Sequence, residues 1–167
     1  ELGWQAPDWV VLPGGNLGNS SAYGKALEEL RAVGLIARLP RMAIIQAEGA
    51  NPFYRAYRAG WPAFEPMQAH TVATAIQIGN PVSSARARRA IELTGGVVEQ
   101  VSDAEIMAAK AAIDRAGIGC EPASAASVAG VKKLVTAGII KPGETVVGLL
   151  TGHLLKDPEA NLAAHTA

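Results

Sequence analysis

Four short apolar runs, each separated from the next by longer segments of helical character, limit what this 167-residue chain can fold into. They are Trp9 to Leu12, Arg41 to Ala47 (RMAIIQA), Val97 to Val101 and Thr145 to Leu150. A run without strict polar alternation suits a strand covered on both faces. Parallel strands need a crossover of a dozen or more residues, and a helix is the usual one. The alternation therefore predicts an α/β fold: an open, mostly parallel sheet with helices on both faces.

Punctuation residues set the helix limits. Ser20 or Ser21 is placed to cap a helix running to about Val33, which Gly34 closes. Asn51 to Ala59 reads as a short helix, and Pro62 and Pro66 break the loop after it. Ser83 or Ser84 opens a helix to Thr94, stopped by Gly95-Gly96. Ser102-Asp103-Ala104-Glu105 is a capping-box pattern for a helix to about Arg115. Pro122 suits the first turn of another, to about Ala137. Thr71 to Pro81 fits neither period, and 159–167 reads as a tail with no closing element.

Composition removes several function classes. Lys plus Arg and Asp plus Glu both total 15, so there is no basic field for nucleic acid. Arg86, Arg88 and Arg89 are the only dense basic cluster and read as the solvated face of a helix. Aromatic residues make up 5% of the chain, too few for a base-stacking platform. No apolar run approaches the roughly 20 residues that span a bilayer, so neither nucleic acid nor membrane is expected as a partner. Cys120 is the only cysteine, which forbids an internal disulfide and is compatible with a reducing, cytoplasmic setting. His70, His153 and His165 lack metal-ligand spacing, so no metal site is expected.

In open α/β sheets, ligands bind beyond the carboxyl ends of the strands. Two sequence features fall there. The first is Gly14-Gly15-Asn16-Leu17-Gly18-Asn19, after the first strand. A phosphate needs converging N–H donors, and glycines let the backbone approach it ahead of a helix N-terminus. Asn16 and Asn19 could add side-chain donors. The same loop could equally be a bare strand-to-helix connection. The spacing departs from the dinucleotide fingerprint, although Glu48 lies where an acidic partner could sit, and no Gly-Lys-Ser/Thr follows as a P-loop requires. The second feature is Thr151-Gly152-His153, after the last strand, with a neutral hydroxyl and a histidine more typical of a structural role.

Four blocks, in order, resemble the threonine synthase family of fold-type-II pyridoxal-phosphate enzymes. They are Leu12 to Asn19, Ala73 to Pro81, Glu121 to Ala126 and Leu150 to Pro158. The resemblance implies that residues 1–158 form the C-terminal portion of the large, cofactor-binding domain, followed by the 159–167 tail, with the N-terminal half of the enzyme missing. It implies that Gly15, Asn16, Leu17, Gly18 and Asn19 hold the phosphate of pyridoxal 5'-phosphate. Thr151 would hydrogen-bond the pyridine nitrogen, and Ala75, Ile76 and Glu121 would line the active site. A hydroxyl there favours an unprotonated ring, a weaker electron sink than a protonated one. Glu121 reads equally well as a charge complementing a helix dipole.

The resemblance also has a gap. The family forms its Schiff base through a lysine in a Ser-Phe-Lys-Asp-Arg-like motif, which these residues lack. Lys25, Lys110, Lys132, Lys133, Lys141 and Lys156 are not in such a context, and Lys156 reads as part of a surface turn. The chain is thus expected to supply no catalytic residue by itself. It would act with the missing half, as part of a homodimer that converts O-phospho-L-homoserine and water to L-threonine and phosphate. A threonine or serine dehydratase-like lyase, and a non-catalytic nucleotide-binding or regulatory module, are the alternatives.

Overall fold

A computed structural model describes residue 3 and residues 5–165. Its sheet has four strands: β1 (Trp9–Pro13), β2 (Arg41–Ala47), β3 (Val97–Val101) and β4 (Val146–Gly148). They lie in the order β3-β2-β1-β4, and every pairing is parallel. Val11, at the centre of β1, lies opposite Ala43 on one side and Gly148 on the other. The helices are α1 (Gly18–Ala32), α2 (Pro52–Arg58), α3 (Ser84–Thr94), α4 (Asp103–Arg115), α5 (Pro122–Thr136) and α6 (Pro158–His165).

The two-residue period of a strand divides the core into two layers. Trp9, Val11, Ala43, Ile45 and Ala47 join one cluster, with Ile106 and Ile113 of α4 and Ala126 and Leu134 of α5. Val10, Leu12, Met42 and Ile44 point the other way, to Phe53 of α2 and Ala87, Ala90 and Ile91 of α3. Both faces are thus covered, as continuous apolar runs require. Each fully buried Val, Leu or Ile contributes about 1.5–3 kcal/mol against exposure. The indole of Trp9 is wholly buried, yet its N–H reaches Glu144 Oε2 at 3.0 Å and the Arg41 guanidinium lies 4.1 Å from its ring centre.

Several limits differ from the sequence reading. α1 begins at Gly18, with Leu17 as N-cap, so Ser20 and Ser21 lie inside its first turn. β4 is shorter than Thr145 to Leu150: after Leu149 N–H donates to the Val11 carbonyl at 2.9 Å, the chain leaves the sheet towards α5. Thr71 to Pro81 contains one 3₁₀ turn, Thr74–Ile76, tied down where Met67 N–H meets the Gly79 carbonyl at 2.9 Å. Residues 159–165 are helical, belonging to α6, while 166 and 167 lie outside the described residues. The arginine cluster is indeed a solvated face, with Arg88 paired to Glu92 and Arg89 to Glu28.

The capping box forms as its pattern requires. Ser102 Oγ accepts from Glu105 N–H at 3.2 Å, and Glu105 Oε2 accepts from Ser102 N–H at 2.7 Å. That N–H holds the Glu105 carboxyl below the usual carboxylate range. A lowered folded-state value stabilises above the ordinary range and is lost as pH falls through it. Ser102→Ala is expected to cost about 1 kcal/mol in urea denaturation at neutral pH, and the part of that difference carried by the bond from Ser102 Oγ to Glu105 Oε2 should vanish as acid protonates Glu105.

Candidate functional site

The strand order fixes where a site can form. The chain steps from β1 outward through β2 to β3, then returns to place β4 on the other side of β1. The loops after β1 and β4 therefore diverge, leaving a crevice at the carboxyl end of the sheet.

One wall is the β1–α1 loop. Gly14 N–H donates to the Ile45 carbonyl at 2.7 Å, continuing the sheet one residue past the strand. Gly15 is packed so closely that a Cβ would lie 3.0 Å from both the Ala75 carbonyl oxygen and Ile76 Cα. Leu17 then adopts φ 63, a left-handed conformation unusual for a non-glycine residue. Its side chain is 2% exposed and embedded in the α2/α3 cluster, and that burial offsets the strain. The first turn of α1 offers N–H groups with no intrahelical partner, at the positive end of the helix dipole. Asn16 Oδ1 accepts from Val82 N–H at 2.8 Å, fastening the loop to the approach to α3.

The opposite wall is built from the end of β4 and the start of α5. Thr151 Oγ1 lies 3.1 Å from Ser124 Oγ, on the first turn of α5. Ser124 is fully buried, and its Oγ also accepts from Gly152 N–H at 2.8 Å. Glu121 is the N-cap of α5 without capping it by its side chain; its N–H donates to the Gly152 carbonyl at 3.0 Å. Its carboxylate packs against Gly152, where a Cβ would overlap it. Cys120 and His153 form an isolated antiparallel bridge beside this contact. His153 Nδ1 accepts from Leu155 N–H at 3.2 Å, a structural role. Burial pushes the Cys120 thiol up from its ordinary value.

Behind this wall stands Lys110 of α4, fully buried. Its ammonium donates to Asp114 Oδ2 at 2.8 Å and to the Cys120 carbonyl at 2.9 Å. The lysine thereby pins the turn that delivers Glu121 and Ser124.

Between the walls, with Ala75 and Ile76 as a third side, lies a cleft of about 330 Å³. It brings together all nine residues named from the sequence: Gly15, Asn16, Leu17, Gly18, Asn19, Ala75, Ile76, Glu121 and Thr151. Pro13, Ile78, Ala123 and Lys156 also line it and were missed. Lys156 sits on a surface turn as expected, but the turn borders the cleft, where Asp157 Oδ2 accepts from Thr74 Oγ1 at 3.0 Å. No local pattern marked this, since the contact spans 83 positions. Among the described residues no group of His, Cys, Asp or Glu is arranged to hold a metal ion. Nor is any described helix long and apolar enough to cross a membrane.

The profile of the family described as "Pyridoxal-phosphate dependent enzyme" matches residues 1–152. The chain belongs to that family of pyridoxal-phosphate dependent enzymes. It is 51% identical over 161 residues to a threonine synthase of Methanosarcina acetivorans, covering 95% of this chain and 40% of that protein. A threonine synthase of Methanocaldococcus jannaschii is 47% identical over 166 residues, covering 98% of this chain and 41% of the relative. The chain thus spans about two-fifths of the length of these relatives. Among solved structures, threonine synthase from Escherichia coli superposes with a TM-score of 0.72 at 19% identity, over 97% of this chain and 35% of that one. An L-serine ammonia-lyase from Rhizomucor miehei gives 0.71 at 22%, over 93% and 49%. At those identities the likeness is one of fold.

Replacing Lys110 by Met keeps the aliphatic stem but leaves the Cys120 carbonyl and Asp114 without the ammonium. A loss of about 3 kcal/mol is expected in chemical denaturation.

Proposed function

We propose that this chain is the phosphate- and ring-binding portion of a threonine synthase. With the rest of its polypeptide it would convert O-phospho-L-homoserine and water to L-threonine and phosphate. The observation that carries the reading is the convergence of the Gly15–Asn19 loop and Thr151 on one cleft, from segments more than 130 residues apart. The identity to threonine synthases over nearly the whole chain supports it.

The residues fit pyridoxal phosphate. A Cβ on Gly18 would meet nothing within 4 Å, so the glycine leaves room for a ligand atom at the helix start. Ser20, within the first turn of α1, keeps a buried hydroxyl with no partner among the described residues. The amides of the loop would hold the phosphate, and Thr151 would meet the pyridine nitrogen. When bound, the cofactor would supply an electron sink.

The chain's own contribution is orientation and proton placement. Ser124 Oγ accepts from Gly152 N–H, so its own hydrogen is available for Thr151 Oγ1. With Ser124 as the donor of that pair, the Thr151 hydrogen is free to donate into the cleft. A hydroxyl donor holds an acceptor nitrogen unprotonated, where a carboxylate would favour its protonated form. Glu121, 6% exposed, sets a fixed carboxylate at the edge of the same space. The lysine nucleophile would come from the rest of the polypeptide, in a homodimer residing in the cytoplasm, where the free thiol of Cys120 stays reduced.

The complete polypeptide carrying these residues is expected to bind pyridoxal phosphate with visible absorption and to release phosphate from O-phospho-L-homoserine. Ammonia release from L-threonine instead would favour a dehydratase-like lyase. No visible absorption and no turnover would overturn both. Thr151→Ala should lower kcat by about tenfold or more, the worth of one charge-shifted hydrogen bond, and Thr151→Asp should shift the visible spectrum.

A further inference from the structure

Gln46, on β2, is fully buried, and its amide is used from both ends. Its Oε1 accepts from the N–H groups of Phe53 and Tyr54, each at 2.9 Å, at the start of α2. Those two donors identify the oxygen, so the other end is the nitrogen. Nε2 donates to the Gly14 carbonyl at 3.1 Å. A polar group buried in a hydrophobic layer is costly unless satisfied, and this one is satisfied by the loop that leads into the cleft.

The consequence follows from peptide geometry. No peptide bond among the described residues is cis, and across a trans unit the C=O and the next N–H point in opposite directions. With the Gly14 carbonyl drawn to Gln46, the Gly15 N–H is directed away from Gln46. Gly15 lines the cleft. Two glycines flank this peptide, so little steric resistance opposes its rotation. Rotated, it would present the negative end of its dipole where the N–H now points.

We propose that Gln46 is a positioning residue for anion binding in the cleft, its Nε2 fixing the Gly14–Gly15 peptide so that the Gly15 N–H donates to the phosphate group. The proposal rests on the cofactor reading above. It adds that phosphate recognition depends on a core amide which touches no ligand, and that the same amide ties the loop to the N-terminus of α2.

Gln46→Glu separates the two jobs of the amide. A carboxylate still accepts from Phe53 and Tyr54, but it repels the Gly14 carbonyl and attracts the Gly15 N–H. Dissociation constants of the complete polypeptide would be measured for pyridoxal phosphate and for pyridoxal, which lacks the phosphate. Gln46→Glu is expected to weaken pyridoxal phosphate about tenfold, the worth of one hydrogen bond to a charged group, with pyridoxal within about twofold of the parent. Gln46→Met, which loses all three bonds, should lower the thermal midpoint as well. Unchanged pyridoxal phosphate affinity in Gln46→Glu, or an equal loss for both ligands, would overturn the role of Gln46. A parent that does not distinguish the two ligands would overturn the cofactor reading itself. A further measurement needs no variant: in the glycine-labelled parent, the Gly15 amide resonance should move downfield with pyridoxal phosphate and not with pyridoxal. An unmoved resonance would also sink the proposal.

Discussion

Everything in this structure that bears on chemistry depends on β1 being paired on both sides in parallel. β2 follows it in the chain and lies on one side, while β4 comes last and lies on the other. Parallel pairing places the carboxyl ends of β1 and β4 together, although 137 positions separate the paired residues Trp9 and Val146 in the chain. Reversal of the winding direction at this pair opens the crevice, since consecutive connections leave to opposite faces. The β1–β4 ladder is also short, three residue pairs, so the loops beyond it begin to part almost at once. A longer β4 would carry Thr151 away from Ser124 and from the loop it faces.

Three buried polar side chains do the finer placement, and each works through a backbone group. Gln46 takes the carbonyl of Gly14, Lys110 that of Cys120, and Ser124 connects Gly152 with Thr151. An apolar side chain of similar size would fill each position without a desolvation cost. What it would not supply is direction. Hydrogen bonds in a medium of low dielectric are steeply angular, so they fix which way a peptide or hydroxyl faces. The apolar layers set how far apart the walls stand, and these three groups set what the walls present.

The sheet was legible because its signals are local. RMAIIQA announces a strand buried on both faces, and Ser102 to Glu105 announces a helix start; both formed where read. Gly14 to Asn19 was legible for the same reason, as was Thr151 at a strand end, and the two share one cleft. Local rules failed where tertiary packing competes. Ser20 is a good capping residue, yet α1 starts earlier because the core captures Leu17. Thr71 to Pro81 has no period because its backbone is held by distant partners, Asp103 for the Val72 N–H and Met67 for the Gly79 carbonyl. Gln46 read as one more residue of a strand, and Lys110 as one more on the apolar face of a helix. Their importance lies in carbonyls 32 and 10 positions away, which no spacing in the sequence encodes.

Leu17 carries a further consequence. Glycine would take φ 63 without strain, so the leucine is the less comfortable residue for the backbone and the more useful one for the core. Its side chain acts as an anchor and the loop as the arm swung from it. Sideways displacement of the loop would drag the anchor from beneath α3, and loosening of the α3 layer would slacken the arm. Mechanical stiffness at the mouth of the cleft is therefore borrowed from the hydrophobic interior, and mutations deep under α3 should be felt there before they are felt as unfolding.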